Sequence, residues 1–209
     1  MWFKRLLWLL PVFFCAALPV KADTAYVWVN GSYSTISNGY AVGPYGGSLN
    51  GTATQFFCVD FNDSIQGNTG WLANVTGLTN TTGYTQTLQH NQTFYLQAAW
   101  LVTQMMQNPK NTALDTQLQW AIWFLSLTPA QQKNTSFFDY KTDVSWDQAA
   151  LDAVNGGFSP TGWEILTPTG GYGQEFLVSG PGAATPEPST IVLLGAGLLA
   201  LLVVAHKKT

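Results

Sequence analysis

Seventeen consecutive residues, Ser189 to Ala205, contain no charged side chain. At about 1.5 Å of rise per residue, a helix over this run is roughly 26 Å long, the low end of what crosses a bilayer. Lys207 and Lys208 follow it within the tip 206–209, and a lysine pair holds its end of a span in the cytoplasm. A second apolar run, Leu6 to Val20, follows Lys4 and Arg5. With the small-x-small sequence Val20-Lys21-Ala22 behind it, this predicts a signal peptide over residues 1–22, cut between Ala22 and Asp23. Neither run joins a water-soluble core, so the folding unit is residues 23–179 and the Gly/Pro/Ala/Thr stretch after it is a linker. Cys15 is lost with the signal peptide.

The linker, residues 180–188, ends in Pro186, Glu187 and Pro188. This tripeptide, a short Leu/Val/Ala/Gly-rich helix over 189–205 and a basic tip resemble the PEP-CTERM sorting signal of Gram-negative bacteria over about residues 185 to 209. The resemblance implies an exported protein anchored in the inner membrane through its C-terminal helix. A membrane-embedded exosortase then cuts near the tripeptide, and the protein ends at the cell surface or outside the cell.

The body has three basic residues (Lys110, Lys133, Lys141) against ten carboxylates, a net charge near −7. Nucleic acid is excluded as a partner, because binding it requires Lys and Arg to replace phosphate counterions. Polarity comes instead from Asn, Thr, Ser, Gln and Gly.

Residues 23–65 read as strands: Tyr26-Val27-Trp28-Val29 alternates, Asn30-Gly31 is a turn signal, and Gln55 to Phe61 is a strand with a buried aromatic face. A polar Asn/Thr/Gly loop follows, after which the period becomes helical. Thr93 to Gln107 aligns Phe94, Gln97, Ala98, Leu101 and Met105, and Asn108-Pro109 stops it. A second helix capped by Asn111 or Thr112 runs through Gln117 to Phe124, and a third is announced by the capping box at Ser145 to Gln148. Trp163 to Leu166 and Gln174 to Val178 return to strand. The order predicts an α+β fold, a β-sandwich or barrel with a helical insertion.

After cleavage Cys58 is the sole cysteine. Unpaired thiols in exported domains are buried, paired between chains or chemically used. Phe57-Cys58, Leu96-Gln97-Ala98-Ala99-Trp100 and Leu118-Gln119-Trp120-Ala121-Ile122-Trp123 stand in the order and style of the thioester domains of Gram-positive surface adhesins. That family carries an aromatic-Cys motif on a strand, apolar-Gln-x-x-apolar on a helix, and Thr-Gln-x-Ala-apolar-Trp on a later helix. The resemblance implies Cys58 as sulfur donor, Gln119 as acyl donor and Gln97 as a supporting residue. Leu118 departs from the pattern by replacing Thr, and Thr116-Gln117 lies two residues early relative to Ala121 and Trp123.

Cys58 attacking the Gln119 carboxamide expels ammonia and leaves a thioester, which a Lys amine or a hydroxyl of a partner then opens to make a permanent link. Such a bond survives only when shielded from water, a task that suits Trp100, Trp120 and Trp123. The alternative is a non-covalent matrix or surface structural protein, with the glutamines as helix formers and Cys58 as a small buried hydrophobe. Asp60 to Ser64 has the oxygen spacing of the start of a calcium loop but lacks its Gly and closing Glu, and reads as a turn. His90, the sole histidine of the body, supports neither a zinc cluster nor a Cys/His dyad. No catalytic residue, metal or cofactor is assigned, and a secreted hydrolase acting through Glu164 and Glu175 is the remaining class.

Overall fold

The computed structural model describes residues 24–80, 82–134 and 138–179. The signal peptide, the linker with its Pro-Glu-Pro, the 189–205 helix and the basic tip lie outside these residues. Among the described residues no helix is long and apolar enough to cross a membrane.

Six antiparallel strands close a barrel in the order β1-β4-β5-β8-β7-β6, formed by Thr24–Val29 (β1), Tyr45–Leu49 (β4), Thr52–Cys58 (β5), Thr69–Gly77 (β6), Trp163–Pro168 (β7) and Phe176–Ser179 (β8). Thr35–Ser37 (β2) and Tyr40–Val42 (β3) form a separate two-stranded hairpin. Between β6 and β7 the chain makes Gln92–Gln107 (α1), Thr112–Ser126 (α2), Pro129–Asn134 (α3) and Tyr140–Asn155 (α4), so the helical insertion is observed and the sheet is a barrel rather than a sandwich.

Alternation in β1 places Ala25, Val27 and Val29 inside and Tyr26 and Trp28 outside. The strands β5, β8 and β7 instead bury consecutive residues, because the barrel interior lies on one side and the helices on the other. Phe56 and Cys58 join the barrel cluster with Leu49, Trp71 and Phe176. Phe57 and Val59 join the helical cluster with Tyr95, Leu101 and Ile122. Where β4 passes under β1, a side chain at Gly47 would place its Cβ 2.0 Å from the Trp28 carbonyl, so that position is closed to every other residue.

Three sequence expectations are corrected. The polar loop after Phe61 contains β6, which pairs with β1 over Thr24 to Val29 and with β7 over Gly77 to Ala73. Its Asn, Thr and Gly content hid a strand stabilised by two neighbours rather than by propensity. The strand at Gln55 ends at Cys58, not Phe61. The last long helix starts at Tyr140, with Asp139 accepting from the Thr142 N–H as its N-cap, five residues before the Ser145 box. The other caps are Asn91 for α1 and Asn111 for α2, each accepting backbone N–H groups of its first turn.

Helix α4 packs on α1 and α2 and carries Asp143 and Asp147 one turn apart. Asp143 Oδ2 and Asp147 Oδ1 are buried with no hydrogen-bond partner among the described residues. Burial, and secondarily Asp139, raises the Asp143 carboxyl to about 7, while burial and Asp143 raise Asp147 to about 8. Both groups ionise at 3.8 when unperturbed, so above that value the folded state holds protons the unfolded chain has lost. Their stability contribution is therefore complete below about pH 4 and is lost as pH rises through 7 to 8. Thermal melts should show Tm falling across this window, and Asp147→Asn should flatten the fall; a Tm that climbs with pH in both proteins would refute the assignment.

Candidate functional site

Cys58 is the last residue of β5 and is completely buried. Its Sγ donates to the Asp60 carbonyl at 3.2 Å. Gln119, also completely buried, reaches it from the middle of α2, 61 residues away, and donates from Nε2 to the Cys58 carbonyl at 2.8 Å. The helix reaches this point because α2 is apolar on two sides. Leu118, Ala121 and Ile122 face the helical cluster, while Trp120 and Trp123 join the barrel cluster that holds Cys58.

The sulfur lies in a low-dielectric setting. Burial, first among several causes, pushes the Cys58 thiol up to about 12, so the proton stays on sulfur at neutral pH. Burial likewise raises Tyr45 and Asp60, the latter further raised by Asp63. Asp60 Oδ1 accepts from the N–H groups of Asn62 at 3.0 Å and Asp63 at 3.3 Å, so this segment is the expected turn. Asp60 Oδ2 is buried without a partner. Among the described residues no cluster of His, Cys, Asp and Glu is arranged to hold a metal.

A pocket of about 410 Å³ is lined by Tyr40, Tyr45, Asp60, Phe61, Trp123 and Gln174 among others, with Cys58 and Gln119 buried behind this lining. Its cover is the β2–β3 hairpin. The Tyr40 ring packs against those of Phe61 at 5.4 Å, Trp120 at 5.8 Å and Trp123 at 6.1 Å. The Trp120 indole N–H donates to Ser37 Oγ at 3.0 Å, and the Ser34 hydroxyl donates to Asp115 Oδ2 at 2.6 Å. Behind the site, the Glu175 carbonyl accepts from the Val59 N–H at 3.0 Å. The buried Glu175 carboxyl is held by the Tyr95 hydroxyl at 2.5 Å, the Thr167 hydroxyl at 2.6 Å and the Leu88 N–H at 3.0 Å.

Of the residues singled out by sequence, Cys58, Gln119, Trp120 and Trp123 come together. Gln97 and Trp100 serve the contact between α1 and α4: Gln97 donates to the Asp147 carbonyl at 3.1 Å, and the Trp100 ring packs on Trp146 at 6.4 Å. Gln117 is exposed, facing away from the thiol. Glu175 is tied to Thr167, three residues along β7 from Glu164, and such positions face opposite sides of a strand, which separates the two carboxyls. His90 Nδ1 lies 3.1 Å from the Tyr84 carbonyl, outside the site. Sequence reasoning missed Tyr40, Tyr45, Asp60 and Gln174, of which Asp60, two residues beyond Cys58, carried the single local signal.

The family model of the PEP-CTERM protein-sorting motif matches residues 184–208. No curated protein and no solved structure matches the chain. The chain therefore carries a PEP-CTERM sorting motif, which points to an exported protein with exosortase as its processing partner.

Trp123 is 2% exposed and touches three other rings of the wall over the thiol. Trp123→Ala should lower stability by about 3 to 5 kcal/mol, as for other large aromatics removed from cores. Denaturant unfolding measures this, and an unchanged midpoint would place the indole outside the core.

Proposed function

We propose that this is a cell-surface protein whose body bonds a partner covalently through a Cys58–Gln119 thioester. The observation that carries the reading is the Gln119 amide held on the Cys58 carbonyl, both residues completely buried, with Gln119 Oε1 unpartnered. Burial keeps the sulfur as a thiol, so its proton is at hand for the leaving nitrogen. The Cys58 sulfur bonds to the Gln119 carbonyl carbon, the carbon–nitrogen bond breaks, and the nitrogen departs with the thiol proton as ammonia. A Lys amine or a hydroxyl of the partner bonds to the same carbon, expels the sulfur, and passes it the proton. The product is an amide or ester to the partner.

Complete burial of Cys58 also favours a second reading, a non-covalent surface structural protein in which the thiol is one more small core residue. Intact mass separates the two. The mature protein should weigh one ammonia less than its sequence, and Cys58 should resist alkylation even when unfolded until methylamine is added. Cys58→Ala should abolish the mass deficit, Gln119→Glu should abolish both signatures, and Gln117→Ala should keep them. A full-mass protein whose unfolded Cys58 alkylates at once leaves the structural reading standing.

Sorting has its own test. Changing Pro186 and Pro188 to Ala alters the recognition element and leaves the apolar helix intact, so membrane insertion should persist while tail removal stops. Immunoblots of cell fractions follow both, and cleavage at the wild-type rate would refute exosortase recognition through the tripeptide.

A further inference from the structure

Two stranded polar atoms stand one turn apart on the same side of α2. Gln119 Oε1 is a buried acceptor with no donor, and Trp123 Nε1 is a buried donor with no acceptor. Residues four apart on a helix are neighbours on one face. The Gln119 amide is oriented by its Nε2 bond to the Cys58 carbonyl, which turns Oε1 away from that carbonyl. The Trp123 side chain lies near enough to the Cys58 sulfur to favour its thiolate form, though no acceptor meets its N–H in hydrogen-bonding geometry. Buried polar atoms without partners are rare in folded proteins. A donor and an acceptor left unmatched beside one thiol fit a site in which charge develops only during reaction.

The other donors around the site are occupied. The Trp120 N–H is taken by Ser37, and Gln174 Nε2 by the Asp60 and Asp63 carbonyls. Trp71 Nε1 is also unpartnered, but it lies on β6 against Gly173, where a Cβ would approach it to 2.7 Å.

We propose that the Trp123 indole N–H is the oxyanion donor for both steps at Gln119, an assignment that rests on the thioester reading above. When the Cys58 sulfur bonds to the Gln119 carbonyl carbon, the carbonyl electron pair moves onto Oε1. The Trp123 N–H donates to that oxygen while its charge is greatest. Collapse returns the pair, breaks the bond to Nε2 and releases ammonia with the thiol proton. In the second step an amine adds to the same carbon, the same oxygen takes the charge, and collapse breaks the carbon–sulfur bond, with the amine proton going to sulfur. On this assignment Trp123 acts directly on the atom that takes the charge, and the indole N–H needs no change of protonation to act in either step.

The test uses Trp123→Phe, which keeps an aromatic ring and removes the N–H, with Trp71→Phe as a control for the loss of a buried indole. Wild type and Trp71→Phe should show the ammonia deficit and the same rate of methylamine opening. Trp123→Phe should open slower by about 100-fold or more, the usual effect of deleting one oxyanion donor. Its residual thioester should absorb at higher infrared frequency, because the carbonyl has lost a hydrogen bond. A thioester in wild type together with unchanged rate and frequency in Trp123→Phe overturns the Trp123 assignment alone. No thioester in wild type overturns both readings. Should Trp123→Phe fail to fold, the wild-type carbonyl band decides: it should lie below that of a simple alkyl thioester in a hydrocarbon solvent, where no donor is present, and a band at the hydrocarbon position would overturn the assignment.

Discussion

The strands β8 and β7 and the adjacent end of β5, Phe56 to Cys58, are covered on both faces, and the arrangement of the rest follows from that double burial. On one side Phe56, Leu166 and Phe176 fill the barrel, and on the other Phe57, Ile165 and Leu177 receive the helices. Consecutive residues of β5 therefore enter different apolar compartments, and its end at Cys58 falls where the two compartments meet. Helix α2 bridges them, which is how a side chain from the helical insertion reaches the backbone of a barrel strand.

Desolvation governs the chemistry at that junction. Cys58, Tyr45, Asp60 and Glu175 are all shifted toward their neutral forms, with burial as the leading cause in each. A site of this kind stores no ion pair. It holds a thiol, a carboxamide and indoles, groups that burial keeps uncharged at neutral pH. The rings of Tyr40, Phe61, Trp120 and Trp123 pack together, and the hairpin that supplies Tyr40 is fastened to α2 by Ser34 and Ser37.

Much of the architecture was legible in the chain. The alternation in β1, the helical period from Thr93 and the return to strand at Trp163 each reflect a local contrast between apolar and polar positions. The polar stretch holding β6 was not legible, because a strand paired on both edges needs little help from its own side chains. The start of α4 was misplaced because Ser145 mimics a cap within a helix that Asp139 already begins. Within the site, Cys58, Gln119, Trp120 and Trp123 were named in advance, whereas Gln97 and Trp100 turned to the α1–α4 contact.

Sequence alone determined the succession of strands, then helices, then strands, the acidic character of the body, and the sorting signal at residues 184–208. These depend on composition, short-range period and contiguous motifs, all of which a linear chain displays. Only the tertiary structure decided that the sheet closes into a barrel, that the Gln119 amide meets the Cys58 carbonyl, and that Tyr40, Asp60 and Gln174 line one pocket. Those outcomes depend on which distant strands pair and which face of α2 turns inward, and both are set by the joint packing of two cores rather than by any single stretch of chain.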